Sequence, residues 1–586
     1  MVIMKDRSYE YLPVAYRDLI DRIKIPKFQR RLVWSEKKKR DLIETLHKGY
    51  PFGALLVAPN INNGKETLKL LDGQQRLSTI NSYENNKVSY WEKLNEDVFN
   101  NLKEKINYDL KDEGQSQLDA SEIEKLLQDT FDLADWTDRY EKMAKDKRRH
   151  LRDYIKNARK QIQAYIDLDK LQIPVIRFLG DPADLPEVFE NLNKGGTPLN
   201  KYEVLSASWA NATLTMPADD RRGTRILDLV KDYYQDMKAD GEFEIDDFSE
   251  DEISSTRKIN LAEFGRAFGT YVTGMIPALV GRQSYQVSNE IGFGLLGVIV
   301  GIDNRRLVDL NNHLTMIQKN ISSILEKAEK ISKNLNSTFS VLFSQNISFK
   351  SNPKNPKSAY STGLSTTFKI LSYFGALWDQ DDQSTQISLK FIPQYYVYDF
   401  LTGVWTAHGD QRLLDYYPSK KIKNYENQLT EEQFEGAFKN WLSENTGVRK
   451  TFSKEVKALI TLHSNLTYLK GSVPYGEDFE FEHILPKARV LAYDTSLRSI
   501  HLSALGNGMF LPKTLNNNKK DKTLYEVDND YSMLISNSSY PIREEMSRML
   551  KNLETNKFRD VNEAIDIRGM RIAKQIVDGL LIEKSN

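Results

Sequence analysis

The sequence predicts an α+β protein of several domains: a mixed α/β N-terminal domain, a mainly helical middle and a C-terminal domain that combines strand and helix. Short apolar segments alternate with helical ones in the first 90 residues, and amphipathic helical periods fill the middle. The alternating strand DFEFEHIL then occupies residues 478–485. Because 586 residues are too many for one hydrophobic core, we expect several folding units.

The N-terminal domain is predicted over residues 1–215. Its expected elements, in chain order, are a helix over about 36–47 capped by Ser35, short apolar strands at 53–58 and 68–71, a helical insertion over about 92–170, a strand at 171–178 and a helix over about 185–193. Asn200 with Glu203 resembles the capping box of a further helix.

The middle and last domains are predicted over residues 216–440 and 441–586. In the middle, residues 305–335 form a long amphipathic pattern, the aromatic-rich stretch 391–405 is most simply core, and the polar run 344–363 is expected to be a loop or linker. In the last domain, helical segments are expected to precede the strand, and a short helix and a terminal helix to follow it.

Composition excludes several classes of protein. The chain has no cysteine, so it can form neither disulfides nor thiolate metal sites, which fits a reducing cytoplasm. The first residues lack the basic start and apolar run of a signal peptide. No stretch approaches about 18 uncharged apolar residues, the length that a membrane span needs. We therefore expect a cytoplasmic protein with no membrane partner.

Overall charge gives no general attraction to nucleic acid, because 82 basic residues balance 82 acidic ones. Local basic clusters remain at 37–40, 145–150, 419–423 and 519–522. Each is more simply explained as a solvated helix face or loop.

A carboxylate and a histidine stand side by side in FEHILPK, at residues 481–487. Pro486 ends the strand, so Glu482 and His483 are expected at a strand end, pointing to opposite sides unless the backbone bends. Histidine suits a general base because it titrates near neutral pH. The simpler alternative is a partly buried structural histidine.

Asparagines downstream complete a candidate metal site. The Asn516 amide oxygen and the Glu482 carboxylate are hard oxygen ligands of the kind that Mg²⁺ or Mn²⁺ prefers. Asn507, in a Gly-Asn-Gly turn, is expected to position either the loop carbonyl or the imidazole. Because three asparagines are consecutive, Asn517 or Asn518 could replace Asn516 as the ligand.

The order Glu-His-Ile-x-Pro, then Gly-Asn, then Asn516 and Lys519 resembles an HNH (His-Me finger) endonuclease over roughly residues 478–525. The resemblance implies a ββα-metal nuclease fold embedded in helices. It also implies these roles: His483 as general base, Glu482 and Asn516 as metal ligands, and Asn507 as support of the site.

Three further stretches stand out in the N-terminal domain: IPKFQRRLVW at 25–34, LDGQQRLSTI at 71–80 and FENLNKGGTPL at 189–199. The second places an Asp-Gly turn after an apolar strand, where a helix start favours phosphate. Asp72 could hold a metal or water, and Arg30, Arg76 and Lys194 could grip phosphates. From chemistry alone, a hairpin turn with surface polar residues explains the pattern better.

These three stretches together resemble the ParB/sulfiredoxin-related NTPase domain. That domain precedes an HNH nuclease in GmrSD-type modification-dependent (type IV) restriction enzymes, including the single-chain BrxU-like members. The resemblance implies an NTP site, for ATP or GTP, with Asp72 also catalytic. The implied nucleotide-binding residues are Gln29, Arg30, Asp72, Gly73, Gln74, Gln75, Arg76, Asn193, Lys194 and Gly195.

The sequence is therefore interpreted as an NTP-dependent endonuclease that cleaves double-stranded phage DNA with modified cytosines, assisted by Mg²⁺ or Mn²⁺, and a homodimer is possible. One alternative is a non-cleaving, NTP-driven DNA-binding switch with a degenerate nuclease fold. Another is a nucleotidase or phosphotransferase unrelated to DNA.

Overall fold

The computed structural model describes the chain except residues 1–8, 28–31, 33, 63–64, 181–200, 210–211, 242, 247, 281–283, 348–362, 418–424, 470–478, 496–498, 528–530 and 582–586. The predicted helix at 185–193 and its neighbour Asn200 lie outside the described residues. So do residues 348–362 of the predicted linker at 344–363 and the whole basic cluster at 419–423. Residues 344–347 of that predicted linker instead continue the preceding helix.

The chain forms two compact units. Unit 1 comprises Met1–Ala210 with Lys231–Ser255, and unit 2 comprises Asn211–Val230 with Thr256–Asn586. The predicted division into three domains stays a prediction, and the two units group its residues differently. Residues 231–255 of the predicted middle belong to unit 1, and the rest of the middle shares unit 2 with the predicted last domain.

In the described part of the chain, unit 1 contains a five-stranded sheet in the order β1-β5-β3-β4-β2. Its strands are β1 (Tyr9–Ala15), β2 (Ile23–Lys24), β3 (Leu55–Asn62), β4 (Lys65–Asp72) and β5 (Gln172–Phe178). The sheet is mixed, because β3 pairs antiparallel with β4 but parallel with β5. The three predicted strands are confirmed. The sequence does not predict β1, an edge strand with Pro13 and exposed tyrosines, because its apolar alternation is weak.

The helices that the structure describes in unit 1 are α1 (Tyr16–Ile20), α2 (Glu36–His47), α3 (Gln74–Asn85), α4 (Lys87–Leu94), α5 (Glu96–Asp112), α6 (Ala120–Leu127), α7 (Leu133–Asp138), α8 (Lys145–Ala164), α9 (Lys201–Ser208), α10 (Arg221–Gly241, from residue 231 on) and α11 (Glu250–Thr256). The predicted cap of α2 is confirmed, since Ser35 Oγ accepts a hydrogen bond from the Lys38 amide at 3.3 Å. The predicted helical insertion is also confirmed, and α4 to α8 pack around their own apolar core, centred on Ile106, Ile123 and Ile155.

The segment around Ile245 extends the sheet of unit 1. The Ile25 amide donates to the Glu244 carbonyl at 3.0 Å, and the Asp246 amide donates to the Ile25 carbonyl at 2.9 Å. Lys69 on β4 adds an ion pair of 2.8 Å with the buried Asp246 carboxylate. Residues from beyond position 230 therefore complete the edge next to β2.

The strands of unit 2 in the described ranges are β6 (Thr213–Thr215), β7 (Lys258–Asn260), β8 (Phe479–His483) and β9 (Gly508–Pro512). They form two antiparallel two-stranded sheets, β6–β7 and β8–β9. Its helices are α12 (Leu261–Met275), α13 (Pro277–Val280), α14 (Tyr285–Val300), α15 (Leu314–Ile347), α16 (Thr367–Leu377), α17 (Asp382–Leu401), α18 (Gly409–Leu413), α19 (Glu431–Glu444), α20 (Lys454–Leu466), α21 (Lys487–Tyr493), α22 (Lys513–Lys519), α23 (Ser532–Asn537), α24 (Arg543–Glu554) and α25 (Phe558–Leu580), with 3₁₀ turns at Asn304–His313, Leu505–Asn507 and Leu524–Glu526.

Of two predictions for the middle, one is corrected and the other is confirmed. The amphipathic stretch 305–335 is not one helix, because its first part is the 3₁₀ segment Asn304–His313, which Asp303 caps and Arg306 kinks. The long α-helix begins only at Leu314. The aromatic stretch 391–405 does pack into the core, where Ile392, Tyr396 and Trp405 are buried.

The core of unit 2 contains a buried lysine. Lys369 on α16 is 1% exposed, and its Nζ donates to the Leu364 carbonyl at 2.8 Å and the Tyr396 carbonyl at 2.9 Å. The ammonium also lies 4.8 Å from the centre of the Tyr396 ring. Burial lowers the pKa of Lys369 to about 8, although the Asp399 carboxylate opposes the shift.

We expect Lys369 to make the stability of unit 2 depend on pH. Its folded pKa lies below the unfolded value of 10.5, so between about pH 8 and 10.5 the unfolded chain binds more protons and the folded state gains stability as pH rises. The shift corresponds to roughly 3 kcal/mol. Lys369→Met should remove the rise, whereas Lys319→Met, at an exposed lysine, should keep it. The midpoints of urea unfolding, measured from pH 7.5 to 9.5, test this. An equal rise of the midpoint with pH in wild type and Lys369→Met would contradict the prediction.

Candidate functional site

The predicted strand 478–485 forms one arm of a compact hairpin-and-helix unit. Strands β8 and β9 pair antiparallel, with Phe481 opposite Phe510 and His483 opposite Gly508. The helix α22 begins directly after β9, as expected for a helix opened near Pro512. The sequence analysis did not predict β9, although the apolar run Met509-Phe510-Leu511 after the Asn507 turn is a signal for it.

Alternation along β8 separates the two predicted side chains. Glu480 and Glu482 lie on the side of α22, where the Asn516 amide donates to Glu480 Oε2 at 2.9 Å. Lys519 Nζ donates to Glu482 Oε1 at 2.7 Å. His483 instead stacks on Phe452, with ring centres 4.3 Å apart and planes 19° apart. The expected divergence of Glu482 and His483 is therefore present.

His483 is held as a neutral imidazole. Its Nε2 is buried and has no hydrogen-bond partner within the described residues. Burial lowers the pKa of His483 to about 4, and the positive charges of Lys487 and Lys519 add to the shift. The ring is therefore unprotonated at neutral pH, the state in which a histidine can accept a proton.

Lys519 is buried, although its sequence context predicts a solvated position. It belongs to the basic cluster 519–522, which was most simply a solvated face, yet Lys519 is 0% exposed. Burial lowers its pKa, while the Glu482 carboxylate at 2.7 Å opposes the shift. Its Nζ also lies 3.3 Å from the His483 carbonyl. Asn516 and Lys519 are three residues apart and therefore lie on one face of α22. This spacing is the sequence signal that relates them.

Asn507 fixes the backbone that follows His483. The side chain is 0% exposed, its Oδ1 accepts from the Leu485 amide at 2.8 Å, and its Nδ2 donates to the Leu502 carbonyl at 2.8 Å. The Asn507 carbonyl also accepts from the Ile484 amide at 2.7 Å. Asn507 thus bonds a loop carbonyl, that of Leu502, and also holds the two amides just beyond the histidine.

The oxygen donors near α22 fit a hard divalent cation in chemical type. Glu480, Glu482 and Asn516 all carry such oxygens, and no group of three or more His, Cys, Asp or Glu side chains able to hold a metal occurs in the described ranges. The predicted pair is not brought into direct contact, because Asn516 bonds Glu480 and Glu482 bonds Lys519. Glu480 is therefore an additional candidate ligand, which shares the face of Glu482.

The DGQQR stretch lies at a sharp junction in unit 1. The strand β4 ends at Asp72, and Gly73 precedes α3 with a φ of +99°. A Cβ at this position would lie 2.1 Å from Leu55 Cδ2, so the chain can turn here only with glycine. The predicted turn and helix start are confirmed.

Arg76 is turned back onto this junction. Its Nη2 donates to Asp72 Oδ2 and to the Ala54 carbonyl, each at 2.8 Å. The guanidinium thus ties the end of β4 to the start of β3. Asp72 and Arg76, predicted to act on a nucleotide, form an internal ion pair in this structure.

The two glutamines of DGQQR differ in environment. Gln74 is 4% exposed, and its Oε1 has no partner within the described residues. Gln75 Oε1 accepts from the Trp34 amide at 3.0 Å, which brings the end of IPKFQRRLVW to α3. The other predicted nucleotide-binding residues lie outside the described residues: Gln29, Arg30, Asn193, Lys194 and Gly195.

A comparison with known families now decides the relationship. Residues 15–210 match the family described as the GmrSD restriction endonuclease, N-terminal domain. The chain carries a GmrSD N-terminal domain. This match supports a GmrSD-type restriction enzyme over residues 15–210, which include DGQQR and its companion motifs. No curated protein matches the chain.

The GmrSD match covers the part of the chain that holds the mixed sheet and the DGQQR junction. It supports a restriction endonuclease at the coarse level, a class of enzyme that implies DNA as a partner. The segment from residue 231 to 255 lies beyond the match, although it belongs to the same compact unit. Among the described helices, none combines the length and apolar character needed to cross a membrane.

The glycine of the GmrSD junction gives a direct test of its geometry. Gly73→Ala is expected to lower the free energy of unfolding by roughly 3 kcal/mol, from backbone strain at positive φ and from the clash with Leu55. Gly114 also has a positive φ, +70°, but a Cβ there meets nothing within 4 Å. Gly114→Ala should therefore cost only about 1 kcal/mol. Thermal and urea unfolding measure both, and a smaller loss for Gly73→Ala than for Gly114→Ala would contradict the packing.

Proposed function

We propose that this GmrSD-type protein is an NTP-dependent endonuclease of the cytoplasm that cleaves double-stranded phage DNA carrying modified cytosines. The proposed cutting centre is an HNH-type ββα unit made of β8, β9 and α22. The observation that carries the proposal is the arrangement at the end of β8. A neutral histidine lies on one side of the strand, and two carboxylates, an amide and a buried ammonium lie on the other.

His483 is the proposed general base. Nε2 has no accessible surface, so the contact with water is proposed at Nδ1. Nδ1 would take the proton of that water as its oxygen attacks the phosphorus, and the phosphodiester bond to the leaving oxygen then breaks. The low pKa keeps the ring unprotonated, so no prior deprotonation is needed at neutral pH.

The α22 face is the proposed metal side. Glu482 and Asn516 would hold Mg²⁺ or Mn²⁺, and Glu480 is a further oxygen donor beside them. When bound, the ion supplies positive charge to the phosphate and the leaving oxygen. The Lys519 ammonium already neutralises Glu482, so a second cation at this carboxylate competes with that ion pair.

Basic side chains around the His483 face suggest where the DNA backbone lies. Arg449, Lys450 and Lys454 are exposed on the approach to α20, and Phe452 between them stacks on His483. Lys457, one turn further on, lies 5.4 Å from the ring centre of Phe481. Cations that flank the stacking partner of a candidate base fit a row of DNA phosphates. The zero net charge of the whole protein does not exclude such a local contact.

The NTP site is proposed at the DGQQR junction of the GmrSD domain. Support comes from the family match and from the helix start after Gly73, because the amino end of a helix favours phosphate. Arg76 would exchange its bond to Asp72 for a phosphate of ATP or GTP, leaving Asp72 to orient a metal or water. Gln29, Arg30, Asn193, Lys194 and Gly195 are proposed as companions, and a homodimer remains part of the proposal.

A second candidate function, the non-cleaving DNA-binding switch, is favoured by a specific observation. One imidazole nitrogen of His483, Nε2, is covered, and Glu482 is already neutralised by Lys519. A degenerate nuclease fold with such a closed centre could bind DNA without cutting it. Nicking of unmodified, hydroxymethylated and glucosylated phage DNA, with Mg²⁺ and NTP, separates the two functions, because only the endonuclease yields cut product.

His483→Ala is expected to lower the single-turnover cutting rate by about 100- to 10,000-fold, because the general base is lost. NTP hydrolysis should be nearly unchanged, since the GmrSD motifs lie in unit 1. His501→Ala is the matched control, because His501 is bonded to Asp566 at 2.9 Å and has no proposed role in cutting. Near wild-type cutting by His483→Ala would show that the HNH assignment is wrong.

Metal removal gives a separate prediction. EDTA should stop cutting and Mg²⁺ or Mn²⁺ should restore it, because the available donors are hard oxygens. Glu482→Gln and Asn516→Ala should each raise the metal concentration needed and weaken Mn²⁺ binding measured by calorimetry. Asn517→Ala and Asn518→Ala, at exposed positions next to Asn516, serve as controls. If only these controls lose Mn²⁺ binding, the proposed ligand register is wrong.

A further inference from the structure

A buried arginine on the terminal helix lies directly behind the candidate cutting centre. Arg568 on α25 is 2% exposed. Its guanidinium donates to the carbonyls of Gly506 at 2.8 Å, Gly508 at 2.9 Å, Ser538 at 3.0 Å and Ser539 at 2.8 Å. No ion pair with an acidic side chain is found for it in the described part of the chain. Burial lowers the pKa of Arg568 to about 10.

Packing alone does not explain this residue. A buried cation without a carboxylate is costly, and an apolar side chain of similar size would fill the space without that cost. What the guanidinium adds is a rigid, planar set of N–H donors that bonds carbonyls in two separate loops at once. Lysine, whose donors share one nitrogen, cannot span the same carbonyls. The residue is therefore suited to fixing the relative position of those loops.

One of those loops is the turn that contains Asn507. Arg568 Nη1 bonds the carbonyls on both sides of that asparagine, those of Gly506 and Gly508. The helix also touches the turn through its backbone, since a Cβ on Gly506 would lie 1.8 Å from the Ile565 carbonyl oxygen. The terminal helix therefore determines where the Asn507 side chain sits.

Asn507 in turn holds the backbone behind the proposed base. Its Oδ1 and its carbonyl accept from the amides of Leu485 and Ile484, the two residues that follow His483. Hydrogen bonds thus connect the guanidinium to the turn, and further hydrogen bonds connect the turn to the end of β8. A displacement of about 1 Å at a reacting group can cost roughly 100-fold in rate.

We propose that Arg568 is a positioning residue of the cutting centre, which sets the Gly506–Gly508 turn and, through Asn507, the orientation of His483. This inference rests on the proposed nuclease function. Arg568 bonds backbone carbonyls rather than groups proposed to touch DNA, and it acts through Asn507. It should therefore affect the rate of cutting and leave DNA affinity unchanged.

The test compares Arg568→Lys with Arg571→Lys, a matched control on the same helix whose guanidinium is half-exposed and pairs with Glu545 at 3.0 Å. Three quantities are measured: single-turnover nicking at saturating DNA, DNA affinity by anisotropy, and amide exchange of the peptide covering residues 479–490. For Arg568→Lys we expect about 100-fold slower nicking, unchanged affinity and faster exchange at Ile484 and Leu485. Arg571→Lys should match wild type in all three.

Arg568→Ala with added ethylguanidinium distinguishes positioning from bulk stability, and partial recovery of nicking is expected. If Arg568→Ala fails to fold, Arg568→Gln and Arg568→Lys provide the same comparison. Wild-type nicking by Arg568→Lys would overturn the proposal, as would slow nicking with unchanged exchange at 484–485. If the wild-type protein cuts no DNA, the nuclease function fails, and the exchange measurement still decides whether Arg568 holds the turn.

Discussion

The hydrogen bonds of Asn507 are the constraint on which the C-terminal site depends. The buried side-chain amide of Asn507 joins the 3₁₀ turn to the Leu502 carbonyl and the Leu485 amide, and the main-chain carbonyl of Asn507 accepts from the Ile484 amide. No water can replace these bonds, because the side chain has no exposed surface. The end of β8, the start of β9 and the proposed base are therefore held in one geometry, and loss of this amide would leave buried donors without acceptors.

Buried cations are the second recurring feature of unit 2. Lys369, Lys519 and Arg568 are all nearly or completely inaccessible, and only Lys519 bonds directly to a carboxylate. Backbone carbonyls solvate the other two, so their charges are tolerated through oriented dipoles. The three cations differ in consequence: Lys369 acts on stability, Lys519 neutralises the acid of the proposed metal side, and Arg568 braces the turn behind the base.

In unit 1 the equivalent constraint is steric. The junction after β4 requires Gly73, and Arg76 then bonds back across the turn to Asp72 and the start of β3. This closed arrangement gives the DGQQR residues a structural role besides the nucleotide-binding role proposed for them. The segment around Ile245, which lies outside the family match, completes the neighbouring sheet edge through both backbone groups of Ile25. Changes at that edge are thereby linked to Ile25, the first residue of the IPKFQRRLVW stretch.

The sequence by itself determined the elements whose signals are local: the capped helix α2, the strands β3, β4 and β5, the helical insertion, the turn at Gly73 and the strand that ends at His483. It also determined the GmrSD relationship, because motif order survives without knowledge of contacts. Only the tertiary structure decided that Asn516 bonds Glu480, that Lys519 is buried against Glu482, that β9 completes the hairpin, and that Arg568 grips the Asn507 turn. These are contacts between residues distant in sequence or on opposite elements. Neither propensity nor periodicity encodes which partner a polar side chain finds once it is removed from water.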